Sequence, residues 1–282
     1  MSVYQYLRKL QQIPDAYDRW RDYRAALTNY VLSSTDMDSS LAIFGAGACN
    51  DIDLGLLISH FSSITLIDSD AHAMQLALSR YGLCEYNRIH CEVIDLVGIT
   101  DHAYEEFATT LTSQLQLFGR SIDLELLESV AVSYLHQLYE HIRDGRLHLG
   151  AARYDYSVAF GLHSQLNNMP VWIYDAIIAS LTDSSCNAPA DSHTRAVAQL
   201  VSEETPAIIH KVNDTILSCT KKAVLFSNEL ESTASNGPIS GAMECILDIK
   251  DRYSSCEKAV ITWPFDTAHN RSYKMLLQKV LL

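Results

Sequence analysis

The sequence predicts an α/β fold. Its core is a doubly wound sheet of seven strands, mostly parallel with the last strand antiparallel, and it adds helices at the N-terminus and as an insertion. Three observations predict it. Short apolar runs alternate with helical stretches from residue 41 onward. The first three runs, LAIFG, SITLID and HCEVID, end in glycine or aspartate, as buried strands bounded by turn residues do. The last two runs, AVITW and YKMLLQKVL, are separated only by PFDTAHNRS. That loop is too short for a parallel crossover, so the final strand must turn back.

Taken in order, residues 3–33 read as helical. Tyr6, Leu7 and Leu10 recur at helical spacing and Pro14 punctuates; Tyr17, Trp20, Tyr23, Arg24, Leu27 and Tyr30 follow on related faces. Ser33–Ser40 is a polar loop. Leu41–Gly45 is the first strand, and Asp51–His60 is a helix for which Asn50 is the expected N-cap. Ser63–Asp68 is the second strand; Ser69 or Asp70 caps the helix after it, and Gly82 stops that helix. His90–Asp95 is the third strand. Residues 96–150 then break the alternation with helices near Tyr104–Leu117 and Leu124–Arg143, too long a stretch for a simple connection, and read as a helical insertion or lid. The rhythm resumes with a strand at Tyr154–Phe160 and a helix at Pro170–Leu181, with Pro170 in its first turn. A helix at Ser192–Thr220 is expected to be interrupted or kinked at Pro206. Ala223–Ser227 is the fifth strand, Ala242–Tyr253 a helix, and Ala259–Trp263 and Tyr273–Leu281 the closing strands. The chain is thus expected to comprise an N-terminal helical segment, 1–40, and an α/β domain, 41–282, with its insertion at 96–150.

Composition narrows the function. Of 282 residues, 48% are hydrophobic and 20% charged, enough apolar content for a sizeable core. The net charge of −13 repels phosphate backbones and anionic lipid, and the densest basic stretch, Arg19, Arg21 and Arg24, is interleaved with Asp18 and Asp22. Neither a nucleic acid nor a membrane is therefore expected as a partner. Seven cysteines without CxxC pairs speak for a reducing compartment, and no apolar segment is long enough for a leader or a membrane span. A cytoplasmic protein that can form a homodimer is the expectation.

The chemically informative unit runs from Leu41 to Asp68. A buried strand delivers the chain to Gly45, Ala46 and Gly47, where glycine permits a tight turn and close approach of a ligand to the backbone. The helix expected from near Asn50 would aim its amides at the same place. Asp68 ends the next strand 23 residues after Gly45, near the spacing of about 20 at which a carboxylate accepts from ribose hydroxyls. Asp95 ends the third strand in the same way; it either accepts from an adenine amino group or caps the segment that follows.

On these residues the chain resembles the class I S-adenosylmethionine-dependent methyltransferases, which have a Rossmann-like fold. The resemblance is carried by GAGACND after the first strand, LIDSD at the second, VIDL at the third, YDYSVAFGLHSQL at the fourth, and the terminal strand pair. It covers residues 41–95 and 153–282. It implies S-adenosylmethionine as cofactor. Gly45, Ala46, Gly47 and Asn50 would lie along its methionine portion, Asp68 and Ser69 at the ribose, Asp95 and Leu96 at adenine, and Phe160 and Gly161 toward the methionine end and the substrate. The sequence departs from the family pattern at Ile43, where an acidic residue is usual, and at Cys49, which replaces a third glycine; Asn50, Asp51 and Asp53 add polar groups nearby.

Methyl transfer asks mainly for alignment, with a base where the acceptor must lose a proton. His163, just past the fourth strand, is the candidate base because its ordinary pKa lies near neutrality. Gln165, Asn167 and Asn168 offer hydrogen bonds to a substrate, or else form a polar turn capping the next helix. Arg24 is placed to pair with the cofactor carboxylate. Tyr17 and Trp20 would lie near the sulfonium, or else form a packing stripe. Asp266, His269 and Asn270 do not make a metal site without a third partner, and no metal is expected. The expected activity is methyl transfer to a small-molecule or peptide acceptor. The alternatives are an NAD-dependent oxidoreductase, for which the third glycine is missing, and a non-catalytic nucleoside-binding homologue.

Overall fold

The computed structural model describes residues 2–10, 13–118, 122–145, 147, 149–181, 195–233, 238–253 and 257–282. The chain divides into two compact units. One comprises Ile13–Leu96, Leu147–Ser164 and Ile209–Leu282; the other comprises Met1–Gln12, Val97–Arg146 and Gln165–Ile208.

The first unit carries the sheet. Its strands are β1 (Ser40–Phe44), β2 (Ser63–Asp68), β3 (Ile89–Val93), β4 (Tyr154–Phe160), β5 (Thr220–Ser232), β6 (Glu257–Asp266) and β7 (Arg271–Leu281), in the spatial order β3-β2-β1-β4-β5-β7-β6. β1 to β5 pair in parallel, and β7 runs antiparallel between β5 and β6. The chain moves outward from β1 to β2 and β3 and then returns to the other side of β1 as β4. That reversal creates a topological switch point beyond the carboxyl ends of β1 and β4, where open α/β sheets take ligands.

One face of the sheet is covered by helices α2 (Ala16–Arg19), α3 (Arg21–Ser34), α4 (Leu54–His60) and α5 (Ala71–Arg80). Leu27 and Val31 of α3 are fully buried against Leu41, Ile43, Val158 and Leu225 of the strands. Each such side chain contributes about 1.5–3 kcal/mol on leaving water, so packing rather than helix propensity holds α3 in place. Trp20 and Tyr23 join Trp263, Phe265 and Tyr273 in an aromatic cluster on the same face. The edge strand β3 is short and partly exposed, Val93 being 61% accessible.

The second unit is helical: α1 (Val3–Leu10), α6 (Asp101–Phe118), α7 (Leu124–Asp144), α8 (Met169–Leu181) and the first part of α9 (Arg195–Ser218). On α7 the residues Leu127, Ala131, Leu135, Tyr139 and Ile142 form a buried stripe at helical spacing. The Tyr139 hydroxyl donates to Asn167, whose amide in turn donates to Thr205 Oγ1 and the Val201 carbonyl. Helix α10 (Ala242–Arg252) belongs to the first unit. Among the described residues no helix is long and apolar enough to cross a membrane.

The alternation and the antiparallel last strand are as the sequence predicts. Several boundaries move. β3 ends at Val93, two residues before Asp95, and its last ladder bond runs from Ile94 N–H to the Asp68 carbonyl. β5 and β6 are longer than their apolar centres, because β7 supplies ladder partners to both along their length. α9 is not interrupted at Pro206 but runs through it as one helix from Arg195; the expected start at Ser192 lies outside the described residues.

Candidate functional site

The bend after β1 is built by backbone. Gly45 and Gly47 both have left-handed φ, +67° and +47°. Gly45 and Ala46 N–H donate to the Ile67 carbonyl, tying the bend to the end of β2. The Asp68 side chain turns toward the bend: Gly47 N–H donates to Oδ2 at 2.8 Å, and Asp70 N–H donates to Oδ1 at 2.8 Å. These two backbone donors orient the carboxylate toward the bend. The two glycines differ. A Cβ on Gly45 would come within 2.8 Å of Leu162 Cδ1, whereas a Cβ on Gly47 would meet nothing within 4 Å. Gly45 is thus filled by the protein, and Gly47 faces open space.

The segment between the bend and α4 departs from expectation. The helix starts at Leu54, not near Asn50, and its N-cap is Asp53, whose carboxylate accepts from Leu56 N–H. Asn50 cannot cap because arginines engage it: its carbonyl accepts from Arg24 and its side-chain oxygen from Arg80. Arg24 is buried; it also donates to the Tyr17 carbonyl and lies 3.7 Å from the Tyr17 ring centre. Arg80 covers the same ring at 4.2 Å, so the cations attracted to Tyr17 are the protein's own. Cys49 sits fully buried at φ +47°, adopting as a non-glycine residue the left-handed backbone a third glycine would take. Burial pushes the Asp51 carboxyl up to about 6, with its own backbone N–H and the Arg24 guanidinium pulling the other way.

A second polar group lies past β4 and β5. The last β4–β5 pair is Phe160 with Ser227, and β5 continues beyond it. Glu229, on this overhang, is 4% exposed; its Oε1 accepts from the Ser164 hydroxyl at 2.7 Å and its Oε2 has no hydrogen-bond partner among the described residues. Burial raises its pKa, opposed by Ser164 and its own backbone N–H. Tyr23 is buried close by, stacked on Trp263 with centroids 5.4 Å apart. Burial first, then the Asp51 carboxylate, holds its hydroxyl protonated; Glu229 adds to this and a hydrogen bond to Ser227 opposes it. Gly161 (φ +56°) packs against Trp263 and Glu229.

His163 has a different setting from the near-neutral base expected of it. It is 1% exposed, and its Nε2 lies 2.9 Å from Asn213 Oδ1. Asn213 donates its amide to Asp248 Oδ2, which leaves Oδ1 to accept and puts the imidazole proton on Nε2. Burial lowers the pKa to about 4, against the pull of Asn213, Asn228 and Asp248, so the ring is neutral at ordinary pH.

Gly45, Ala46, Gly47 and Asp68 come together directly, with Asp95 and the buried Leu96 following the β3 end that Ile94 ties to Asp68. Ser69 is exposed, and the cap of α5 is Asp70, accepting from Ala73 N–H. Trp20 is buried and spends its indole N–H on the Phe265 carbonyl. Phe160 and Gly161 lie at the end of β4 beside the Glu229 group. Gln165 and Asn168 fall in the helical unit, as does Asn167. Asp266 and His269 pair with each other at 2.7 Å, and among the described residues no group of three or more His, Cys, Asp or Glu side chains is placed to hold a metal ion. Sequence reasoning missed Glu229, Ser164 and Trp263. In the run FSNELES three polar residues separate Phe226 from Leu230, so no period-2 alternation in the sequence carried the strand to Glu229.

The sequence matches no protein-family model and no curated protein sequence. Among solved structures it is similar to the N-methyltransferase NodS from Bradyrhizobium japonicum WM9 in complex with S-adenosyl-L-homocysteine, at 13% identity over 100% of this chain and 98% of that one, with a TM-score of 0.47. It is also similar to a SAM-dependent methyltransferase from Aquifex aeolicus, at 10% identity over 98% and 97% of the two chains and a TM-score of 0.44. A third is magnesium protoporphyrin IX methyltransferase from Synechocystis PCC 6803 with bound SAM, at 9% identity over 95% and 85% and a TM-score of 0.42.

Proposed function

We propose that this chain is an S-adenosylmethionine-dependent methyltransferase acting on a small molecule or peptide. One juxtaposition carries the reading: the Asp68 carboxylate is oriented at the Gly45–Gly47 bend by Gly47 N–H, beside open space over Gly47. A carboxylate at the end of the strand next to a glycine bend suits the paired hydroxyls of an unphosphorylated ribose. The residues present fit such a cofactor, because the cradle over Gly47 is one a Cβ would enter and the donor-accepting group is already aimed there.

In this reading Asp68 grips the ribose, Asp95 and Leu96 border adenine, and the Gly45–Gly47 bend supports the methionine portion. When bound, the cofactor supplies an electrophilic methyl group on a sulfonium. Arg24 keeps the loop in shape through Asn50, and Tyr17 is its platform. His163, neutral and buried, is assigned the positioning of the Gly161–Ser164 segment through Asn213 and not proton transfer. The net charge of −13 favours a neutral or cationic acceptor and disfavours nucleic acid.

The test compares thermal stabilisation by S-adenosylhomocysteine with that by NAD. Binding only to native protein stabilises by about 2.7 kcal/mol at a hundred times Kd. A shift with the adenosyl ligand and none with NAD is expected; the reverse would make the chain a dinucleotide enzyme.

A further inference from the structure

We infer that Glu229 marks the acceptor side of the site and that the acceptor presents a basic nitrogen to it, so that the group methylated is an amine. This rests on the reading above, that the Gly45–Gly47 bend carries an adenosyl cofactor.

The strand order lays the positions out in a row. Asp95 follows β3, Asp68 ends β2, the bend follows β1, and β4 and β5 come next. Adjacent strands lie about 4.8 Å apart, which puts the end of β5 roughly 10 Å from the bend. A nucleoside held at β2, with its remaining length over β1, therefore delivers what it carries toward β4 and β5. Glu229 stands there because β5 outruns β4.

Among the buried polar atoms left unanswered in the described residues are Glu229 Oε2, on a side chain 4% exposed, and Trp263 Nε1, on one 5% exposed. Buried polar groups are nearly always hydrogen-bonded, so a buried carboxylate oxygen without a donor calls for one. The two side chains converge on Gly161, where an added Cβ would lie 3.5 Å from Trp263 and 4.0 Å from Glu229 Oε1. Ser164 occupies Oε1, which fixes the carboxylate and leaves Oε2 as the acceptor for a ligand N–H. Trp263 and Tyr23 are aromatic walls that stabilise positive charge on a nitrogen beside them.

The reaction balances in charge and protons. The acceptor enters as a neutral amine, N–H directed at Oε2, and its nitrogen lone pair forms the new N–CH3 bond. The S–CH3 bond breaks, with its electron pair passing to sulfur. The proton stays on the methylated nitrogen, and the Glu229 carboxylate pairs with the ammonium that results. The positive charge passes from sulfonium to ammonium, leaving a thioether and a protonated methylated amine beside the carboxylate.

The probes are S-adenosylhomocysteine and sinefungin, which carries a protonated amine on carbon where the cofactor carries its S-methyl group. Isothermal titration of the full chain is expected to show sinefungin binding about tenfold more tightly, since an ammonium–carboxylate hydrogen bond is among the stronger kinds. Glu229→Gln is expected to abolish that preference while changing S-adenosylhomocysteine affinity by less than about threefold, because only the charged partner is lost. Glu229→Asp keeps the charge, is expected to retain part of the preference, and serves should Glu229→Gln fail to fold. A preference unchanged in the Gln variant overturns the inference, as does equal weakening of both ligands, which would assign Glu229 to the cofactor. Failure of the parent chain to bind S-adenosylhomocysteine overturns the cofactor reading itself, an outcome distinct from the other two.

Discussion

At the end of β1 the polar contacts run from backbone N–H to one side chain and one carbonyl of the neighbouring strand: Gly47 and Asp70 N–H to the Asp68 carboxylate, Gly45 and Ala46 N–H to the Ile67 carbonyl. At the ends of β4 and β5 they run between side chains far apart in sequence: Ser164 to Glu229, His163 to Asn213, Asn213 to Asp248. The first arrangement is half-exposed and made of short-range geometry. The second is buried and made by packing. A backbone cradle tolerates changes of side chain but not of glycine or of the one carboxylate. A buried side-chain network is vulnerable at each member, because removing one partner strands another.

The largest effect is expected from Asp68→Ala. Losing hydrogen bonds from two ribose hydroxyls to one charged group should weaken S-adenosylhomocysteine binding by about 4 kcal/mol, roughly a thousandfold, by titration calorimetry. Unchanged affinity would remove the carboxylate from the site and dissolve the contrast.

Next come the two glycines of the bend. Gly45→Ala combines left-handed strain with a 2.8 Å approach to Leu162 and should cost about 3 kcal/mol in denaturant melts. Gly47→Ala meets no neighbour and should cost only about 1 kcal/mol of stability. Its methyl group enters the space assigned to the ligand, so affinity should fall instead, by about tenfold. Equal stability losses in the two variants would mean that the space over Gly47 is not a cradle.

The second region is sharpened by pH. The folded-state pKa of His163 is lowered from 6.5 to about 4 by burial. Between those values the unfolded chain binds the proton and the folded chain does not, so this group subtracts stability progressively as pH falls from 6.5 to about 4 and no further below that. The loss should be on the order of 3 kcal/mol. His163→Gln, which keeps an N–H for Asn213, should show a correspondingly flatter stability profile across that window in urea melts at graded pH. Parallel profiles would mean that the ring is protonated without cost and is not buried in solution.

Residue order alone carried the class of fold, the parallel alternation with its reversed last strand, and the Gly45–Gly47 and Asp68 pairing. These are local: glycine after an apolar run licenses a left-handed bend, and a strand-terminal carboxylate is brought beside it by pairing of neighbouring strands. Folding settled what depends on distant partners. Asn50 and Asp53 are equally good N-caps on propensity, and contacts from Arg24 and Arg80 leave the role to Asp53. Tyr17 and Trp20 read either as aromatic groups near a ligand or as a packing stripe, and long-range contacts to Arg24, Arg80 and Phe265 decided for packing. Glu229 lies two residues past the strand expected at Ala223–Ser227. Only the pairing of β5 with β7, 46 residues away in sequence at Glu229–Met275, carries it beyond β4 and into the interior. Burial, and with it the pKa of a group such as His163, is a property of which surfaces meet, and the spacing of residues along the chain does not encode that.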